Sequence, residues 1–255
     1  MRFKVLGCYG AELPNFRPTG FLIGESLLLD AGTIGMALDE EQEMLVSDVL
    51  ITHSHMDHVK SLPFLIDVVA SRKNSPIIIY STYEVLDIIH KHLFNNLLWP
   101  DFTRIPSSEY PFVKLVSLEE GVYKKINEFM VKAIKVNHSV PAVGYIIKNS
   151  DGDSLLYTGD TGPTEAIWRE ASLENSLKGV IVETSFPNSM KDLALASGHL
   201  TPEMLGFELK KMENIDIPIF ITHLKPSHLD ILKEELIALG IKNIIFLEDG
   251  KEYEV

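Results

Sequence analysis

The chain has 255 residues, 45% hydrophobic and 23% charged, which are proportions of a folded globular protein and exclude a disordered one. A formal charge of −13 with no Lys/Arg run disfavours a long nucleic-acid partner, because an acidic surface repels a phosphate backbone. Cys8 is the only cysteine, so no intrachain disulfide forms; no apolar run suits a signal peptide or approaches the ~20 residues that cross a bilayer, and the expected location is cytoplasmic, with no membrane partner.

Apolar runs punctuated by Gly, Pro and Asp predict strands over 2–6, 20–24, 27–30 and 47–51. Val59, Leu62, Leu65, Ile66 and Val69 recur at helical spacing and predict a helix over 58–70. A strand over 77–80 and a helix over 82–97 follow. The pattern then restarts, with strands over 129–136, 144–148 and 154–158, a helix near 163–174 and a strand over 179–183. Outer helices are expected over 189–212 and 227–239, and 218–222 reads as the last inner strand. Gly20-Phe-Leu-Ile with Leu-Leu-Leu-Asp30 parallels Gly144-Tyr-Ile-Ile with Leu-Leu-Tyr-Thr-Gly-Asp160, each a strand pair ending on an acidic residue. Two β-rich halves facing each other with helices outside are therefore expected. No Pro/Ser-rich linker divides them, so residues 1–255 are read as one domain.

The segment Thr52-His53-Ser54-His55-Met56-Asp57-His58 places three of the nine histidines and an aspartate in six residues, after an apolar strand and before a helix. Neutral imidazole ligates zinc, manganese or iron, and a carboxylate adds a harder oxygen donor. His53 and His55 can point one way while Asp57 and His58 turn to a neighbouring point, which suits two adjacent ions better than one. A solvated polar loop or a helix-capping Asp is the plainer alternative, and the density of histidines argues against it. Further ligands are expected at strand ends, where His138, Asp160 and His223 each follow a predicted strand. Singly each reads as structural; together they fit a common site.

In order and context these residues resemble the metallo-β-lactamase fold. The resemblance implies a four-layer αββα sandwich, an α/β fold, with His53, His55 and His138 on one metal and Asp57, His58 and His223 on the other. Asp160 corresponds to the bridging carboxylate. A narrower resemblance, to class II cyclic-nucleotide phosphodiesterases, rests on His92-Leu-Phe94-Asn95-Asn96-Leu-Leu-Trp99-Pro100-Asp-Phe102, Tyr157-Thr-Gly-Asp160-Thr, Glu183-Thr-Ser-Phe-Pro-Asn188, Ser197-Gly-His199-Leu-Thr201-Pro202 and Thr222-His223-Leu-Lys225-Pro226. Met56 departs from the leucine of that signature and Pro63 from its usual aliphatic residue; neither is a ligand position.

The implied activity is hydrolysis of a 3′,5′-cyclic nucleotide, cAMP first, to a 5′-monophosphate. Two cations ~3.5–4 Å apart can hold a bridging hydroxide and clamp a phosphate oxygen. Asp57 counts among the catalytic residues. His199, in a Gly-containing turn before a helix beginning at Thr201 and Pro202, is the candidate proton donor to the leaving oxygen, and a substrate contact. Glu183, at a strand end, is the candidate that orients it; strand-end ion pairing is its alternative. Asn95 and Asn96 are candidate substrate contacts in a cover over 92–111, whose aromatics serve equally in ordinary packing or in a contact between two copies of a homodimer. Asp30 is read as supporting the ligands, Lys225 as either a phosphate neutraliser or an exposed lysine, and His90, His92 and His228 need no function. Competing readings are a tRNA 3′-end-processing nuclease, a thioester or lactam hydrolase on the same two divalent ions, a redox di-iron protein and a scaffold that has lost its metals.

Overall fold

The computed structural model describes residues 1–70, 72–212 and 216–255. In chain order the first half runs β1 (Arg2–Gly7), β2 (Gly20–Ile23), β3 (Leu27–Leu29), α1 (Glu40–Leu45), β4 (Asp48–Leu50) and α2 (Met56–Val59). It continues through α3 (Leu62–Ala70), β5 (Ile77–Ser81), α4 (Tyr83–His92) and β6 (Val113–Ser117). The second half runs β7 (Tyr123–Ile126), β8 (Phe129–Lys135), β9 (Val143–Lys148), β10 (Ser154–Tyr157), α5 (Ala166–Leu173) and β11 (Leu177–Glu183). After it come α6 (Lys191–Ser197), α7 (Pro202–Leu209), β12 (Ile219–Thr222), α8 (Leu229–Ala238), β13 (Ile244–Phe246) and β14 (Glu252–Glu254).

The strands form two seven-stranded sheets, ordered β14-β1-β2-β3-β4-β5-β6 and β13-β12-β11-β10-β9-β8-β7. In the first sheet β1, β2 and β3 pair antiparallel, and β3 to β6 pair parallel. In the second, β8, β9 and β10 pair antiparallel, and β10 to β13 pair parallel. The two halves thus repeat one plan, and the Asp30 and Asp160 runs follow equivalent strands.

Strand alternation explains why so many positions are apolar. Phe21, Ile23, Leu27, Leu29 and Leu50 face the second sheet, whereas Leu22, Leu28, Val49 and Ile51 face the helices. In the second sheet Tyr145, Ile147, Leu155 and Tyr157 face inward, while Ile146, Leu156, Val180 and Val182 face outward. A sheet covered on both sides needs apolar residues in both registers. The outer layers are supplied by Leu62, Leu65, Ile66, Val85 and Ile89 on one side, and by Ile167, Trp168, Leu205, Leu232 and Leu236 on the other. Burying each such side chain contributes about 1.5–3 kcal/mol. The result is the expected four-layer αββα sandwich.

Several expected elements change at their ends. The helix expected over 58–70 is broken at Lys60 and Ser61 into α2 and α3, with Pro63 in the first turn of α3. The helix expected over 82–97 stops at His92 with Leu93 as its cap, and Asn96 turns the chain beyond it with a φ of 62°. Gly198, at a φ of 73°, ends α6 and divides 189–212. As expected, Thr201 caps α7, its side chain accepting from the Met204 N–H, and Pro202 opens the helix. Strand β12 is not the last inner strand: β13 pairs beyond it, and β14 returns to pair with β1.

Candidate metal centre

In a parallel sheet the C-terminal ends of the strands gather their loops at one edge. Chain leaving β4 supplies His53, His55, Asp57 and His58, the last two within α2. Chain leaving β8 supplies His138, chain leaving β10 supplies Asp160, and His223 follows β12 directly. All seven converge. His138 Nε2 lies 3.2 Å from His55 Nδ1. The Asp160 Oδ2 atom lies 3.7 Å from His53 Nε2, 3.3 Å from His58 Nε2 and 3.2 Å from His223 Nε2. Asp57 Oδ2 is 3.2 Å from His223 Nε2. Two sets of donor atoms result, each within 4.8 Å of one another: His53, His55 and His138, and Asp57, His58, Asp160 and His223.

The donor chemistry fits divalent cations. His53 and His58 are fully buried, yet their Nε2 atoms have no hydrogen-bond partner. Such orphaned polar atoms cost about 1–3 kcal/mol each unless something occupies the space before them. Burial, reinforced by nearby His58, pushes His53 well below its ordinary pKa, and burial lowers His55 and His138. Neutral imidazole is the ligating form. Burial opposes charge on His58, but Asp160 and Asp30 outweigh it and hold that pKa well above the ordinary value. Burial would raise Asp57 and Asp160; the histidines around them prevail and keep both carboxylates ionised below the usual range.

Buried partners orient the donors. His58 Nδ1 meets Asp30 Oδ2 at 2.8 Å, leaving Nε2 to face the cluster. Asp30 also accepts from the Thr52 N–H at 2.8 Å and from the Tyr157 hydroxyl at 2.7 Å, so it ties both sheets to the ligand loop. His138 Nδ1 donates to the Gly198 carbonyl at 2.8 Å. Asp30 and His223 both adopt left-handed backbone, with φ of 56° and 63°, a conformation that non-glycine residues hold only when the surroundings enforce it. At Gly32 a Cβ would come within 1.9 Å of the Asp57 carbonyl, so the turn beside α2 requires glycine.

His199 sits beside the second set. Its Nδ1 is 2.8 Å from Glu183 Oε1, its ring stacks on His223 at 5.3 Å, and it meets His138 edge-on at 5.1 Å. Burial works against protonating His199, and Glu183 reverses this, raising its pKa. Glu183 is fully buried and also accepts from the Thr161 N–H. The arrangement favours a protonated imidazole held by Glu183 beside the donor cluster.

Asn95 and Asn96 are not brought to this cluster. They follow the C-terminal end of α4, which begins just after β5 at the ligand edge and runs back down the sheet. Asn95 caps its own turn, accepting from the Leu97 and Leu98 N–H groups and donating to the Lys91 carbonyl. Asn96 accepts from the Asp101 N–H, and Phe102 pairs with Val113 at the start of β6, the far end of the sheet. Phe94 and Phe102 are buried in the outer-helix core with Trp99 packed against it, whereas Tyr110 is exposed. His90 approaches Asp101, and Lys225 donates to the Gly10 carbonyl while lying 5.8 Å from the Phe186 ring.

Some contributors carried no usable sequence signal. The Ser185 hydroxyl donates to Glu183 Oε2 at 2.9 Å and lies 2.8 Å from His223 Nδ1. The His223 N–H donates to the Cys8 carbonyl at 2.7 Å, while Asp249 accepts from the Cys8 and Arg17 N–H groups. Ser185 and His223, like Cys8 and Asp249, are far apart in sequence, and only the folded chain brings them together.

The paired sheets, flanking helices and ligand edge define a metallo-β-lactamase fold. The whole chain superimposes on a metallo-β-lactamase fold protein of Bacillus subtilis, YhfI, with a TM-score of 0.78 at 18% identity, covering 99% of each chain. Unliganded yeast PDE1 superimposes with a TM-score of 0.83 at 20% identity, covering 98% of each chain. Within that fold the chain belongs to the class-II cAMP phosphodiesterase family, whose model matches residues 38–233.

It is 30% identical to the 3′,5′-cyclic-nucleotide phosphodiesterase of Aliivibrio fischeri, over 80% of this chain and 69% of that one. It is 29% identical to a probable 3′,5′-cyclic-nucleotide phosphodiesterase of Yersinia pestis, over 71% of this chain but only 58% of that protein's length. A ribonuclease Z of Methanosarcina acetivorans is 24% identical over 100% of this chain and 98% of its own.

Proposed function

We propose that the protein hydrolyses 3′,5′-cyclic nucleotides, cAMP foremost, to 5′-monophosphates with two divalent transition-metal ions. Zinc, manganese and iron all suit the donors. The observation that carries this reading is the Glu183-bound His199 placed against two donor sets that meet at Asp160. His53, His55 and His138 would hold one ion, Asp57, His58 and His223 the other, with Asp160 between them. When bound, such ions lower the pKa of water and place positive charge opposite a phosphate oxygen.

The chain's own residues supply the rest. Asp57, kept ionised, is a ligand and an acceptor at the rim of the cluster. Glu183 fixes the tautomer and orientation of His199 through Nδ1, so the other ring nitrogen can give a proton to the departing 3′ oxygen. Ser185 and Asp30 hold His223 and His58 in register. A single domain over 1–255 is supported by β14, which carries the end of the second half back to β1.

A tRNA 3′-end-processing role is the second reading, supported by the likeness to ribonuclease Z over the whole chain. The charge of −13 weighs against it. A thioester or lactam hydrolase would leave Glu183 and His199 without a task. A cytoplasmic location fits the single cysteine, and no helix among the described residues is long and apolar enough to cross a membrane. Exposed Leu97, Leu98 and Tyr110 offer a surface for a homodimer. The deciding experiment incubates the protein with 3′,5′-cAMP, 2′,3′-cAMP, cGMP and a tRNA precursor and separates the products. 5′-AMP from 3′,5′-cAMP is expected; cleavage of the precursor alone would replace this reading with the second.

A further inference from the structure

The chain that leaves β1 passes His223 before it returns to β2, and the stretch from Cys8 to Gly10 lies against that residue. The Cys8 carbonyl accepts from the His223 N–H at 2.7 Å and from the Thr222 hydroxyl at 3.2 Å. The Gly10 N–H donates to the Leu224 carbonyl at 3.3 Å, and the Gly10 carbonyl accepts from Lys225. A Cβ at Gly10 would come within 2.5 Å of His223 Nδ1, so no larger residue fits there without moving the ring. The stretch therefore grips both the backbone and the imidazole of one donor. Donors of the other set are steadied from elsewhere, His138 by the Gly198 carbonyl and His53 by the Thr52 hydroxyl at 3.0 Å.

A side chain from the turn between β13 and β14 braces this stretch. Asp249 Oδ1 accepts from the Cys8 N–H at 3.1 Å and from its thiol at 3.3 Å, while Oδ2 accepts from the Arg17 N–H at 3.0 Å. The Tyr9 N–H donates to the Arg17 carbonyl at 3.0 Å. One carboxylate thus fixes both flanks of the peptide whose carbonyl holds His223. The turn is itself tied to β1, through the Gly250 N–H to Val5 at 2.7 Å and the Val5 N–H to Lys251 at 2.8 Å.

We infer that Asp249 is a positioning residue for His223, acting through Cys8 to Gly10, and that it sets the affinity of one ion of the two. The inference rests on the two-ion reading above, and the ion concerned is the one assigned to Asp57, His58 and His223. Asp249 itself belongs to neither donor set. His223 holds left-handed backbone at a φ of 63°, which a non-glycine residue keeps only under constraint from its surroundings. Its Nε2 lies 3.2 Å from both Asp57 Oδ2 and Asp160 Oδ2. Once the Cys8 carbonyl is free to shift, that backbone relaxes and carries Nε2 away from both carboxylates. Ser185 steadies the ring, and the braced carbonyl steadies the backbone that bears it.

The test titrates metal-free protein with cobalt(II) against a competing chelator and follows the visible absorption, which resolves uptake of two ions as separate steps. His223→Ala identifies the step that depends on His223. Asp249→Ala should weaken that step by about tenfold or more and leave the other within about threefold. Gly10→Ala, which drives a methyl group against the ring, should weaken the same step. Asp249→Asn keeps one acceptor oxygen and serves if the alanine variant does not fold, with the same selectivity expected. Glu248→Ala removes a neighbouring exposed carboxylate of equal charge, and both steps should stay within about threefold. Equal weakening of both steps by Asp249→Ala would reflect general loosening or lost negative charge and would overturn the positioning role. Unchanged steps in folded Asp249 and Gly10 variants would overturn it as well. Wild-type protein that takes up fewer than two cobalt ions would instead overturn the two-ion reading from which the role follows.

Discussion

The Nδ1 of His223 and the hydroxyl of Ser185 lie 2.8 Å apart, on loops leaving two adjacent parallel strands, β12 and β11. The same hydroxyl donates to Glu183, so a donor at the metal edge and the partner of His199 are linked through one small side chain. Removing that hydroxyl frees the His223 ring to rotate. Ser185→Ala should therefore weaken metal binding by about 10–100-fold, the usual cost of losing a residue that orients a ligand. Chelator competition measures this directly, and unchanged affinity would dismiss the link.

Elemental analysis should find close to two transition-metal ions per chain in carefully prepared protein. Asp160 faces three imidazoles from both donor sets, so Asp160→Ala should lose both ions, and His53→Ala should lose metal and activity together. A metal-free, active wild type would be incompatible with the centre.

The pH dependence of turnover should have a basic limb set by His199. A proton donor works only while protonated, so activity falls as pH rises through its pKa. Glu183 raises that pKa above the ordinary 6.5 and extends the active range upward. Glu183→Gln should move the limb to lower pH, and His199→Ala should reduce kcat by about 10²–10⁴-fold while metal is retained. A limb that stays in place in Glu183→Gln would remove this role.

Glu174 offers a separate test of stability. Its carboxylate accepts from the hydroxyls of Tyr123 and Ser176 and pairs with Lys148 at 3.0 Å. Burial would raise its pKa, but these hydrogen bonds bring it down to about 2 from 4.5. A depressed carboxylate stabilises the fold above its unfolded pKa and loses that contribution as pH falls towards 2. Glu174→Gln should flatten the acid side of a thermal-stability profile over that window and leave neutral-pH kcat/KM within twofold.

Asn95→Ala should also leave kcat/KM within twofold, because the amide is bonded in its own turn at the far end of α4. The expected cost is about 1–2 kcal/mol of stability, read by denaturant unfolding. A tenfold fall in kcat/KM with normal stability would restore the substrate-cover reading.

The sequence displayed the metal loop because 53–58 is contiguous, and it displayed His138, Asp160 and His223 because each directly follows an apolar strand. Ser185 and Asp249 stayed hidden: a serine in a strand-end run and an acidic residue near the chain end acquire their partners only through the fold. Strands β13 and β14 went unmarked: each is three residues long, and β14, Glu252-Tyr253-Glu254, has no apolar run of the kind that marked the equally short β3 and β4. The segment over 92–111 shows the complementary gap. Its aromatics and amides are chemically suited to a nucleotide, but residue type does not encode which end of a sheet a connection occupies; the parallel pairing of β5 and β6 decides that.

The donors are divided between the sheets, four leaving the first and three the second, and the chain passes from one sheet to the other only once between β6 and β7 before β14 returns. Neither half holds all the residues of either donor set. If the donor sets hold metal as proposed, affinity should be high only when both halves are docked in the correct register, which would make the centre a coincidence detector for assembly. Severing the exposed turn at 119–122 would make two fragments whose tight metal uptake reports their reunion, with β14 acting as the hook that brings them together.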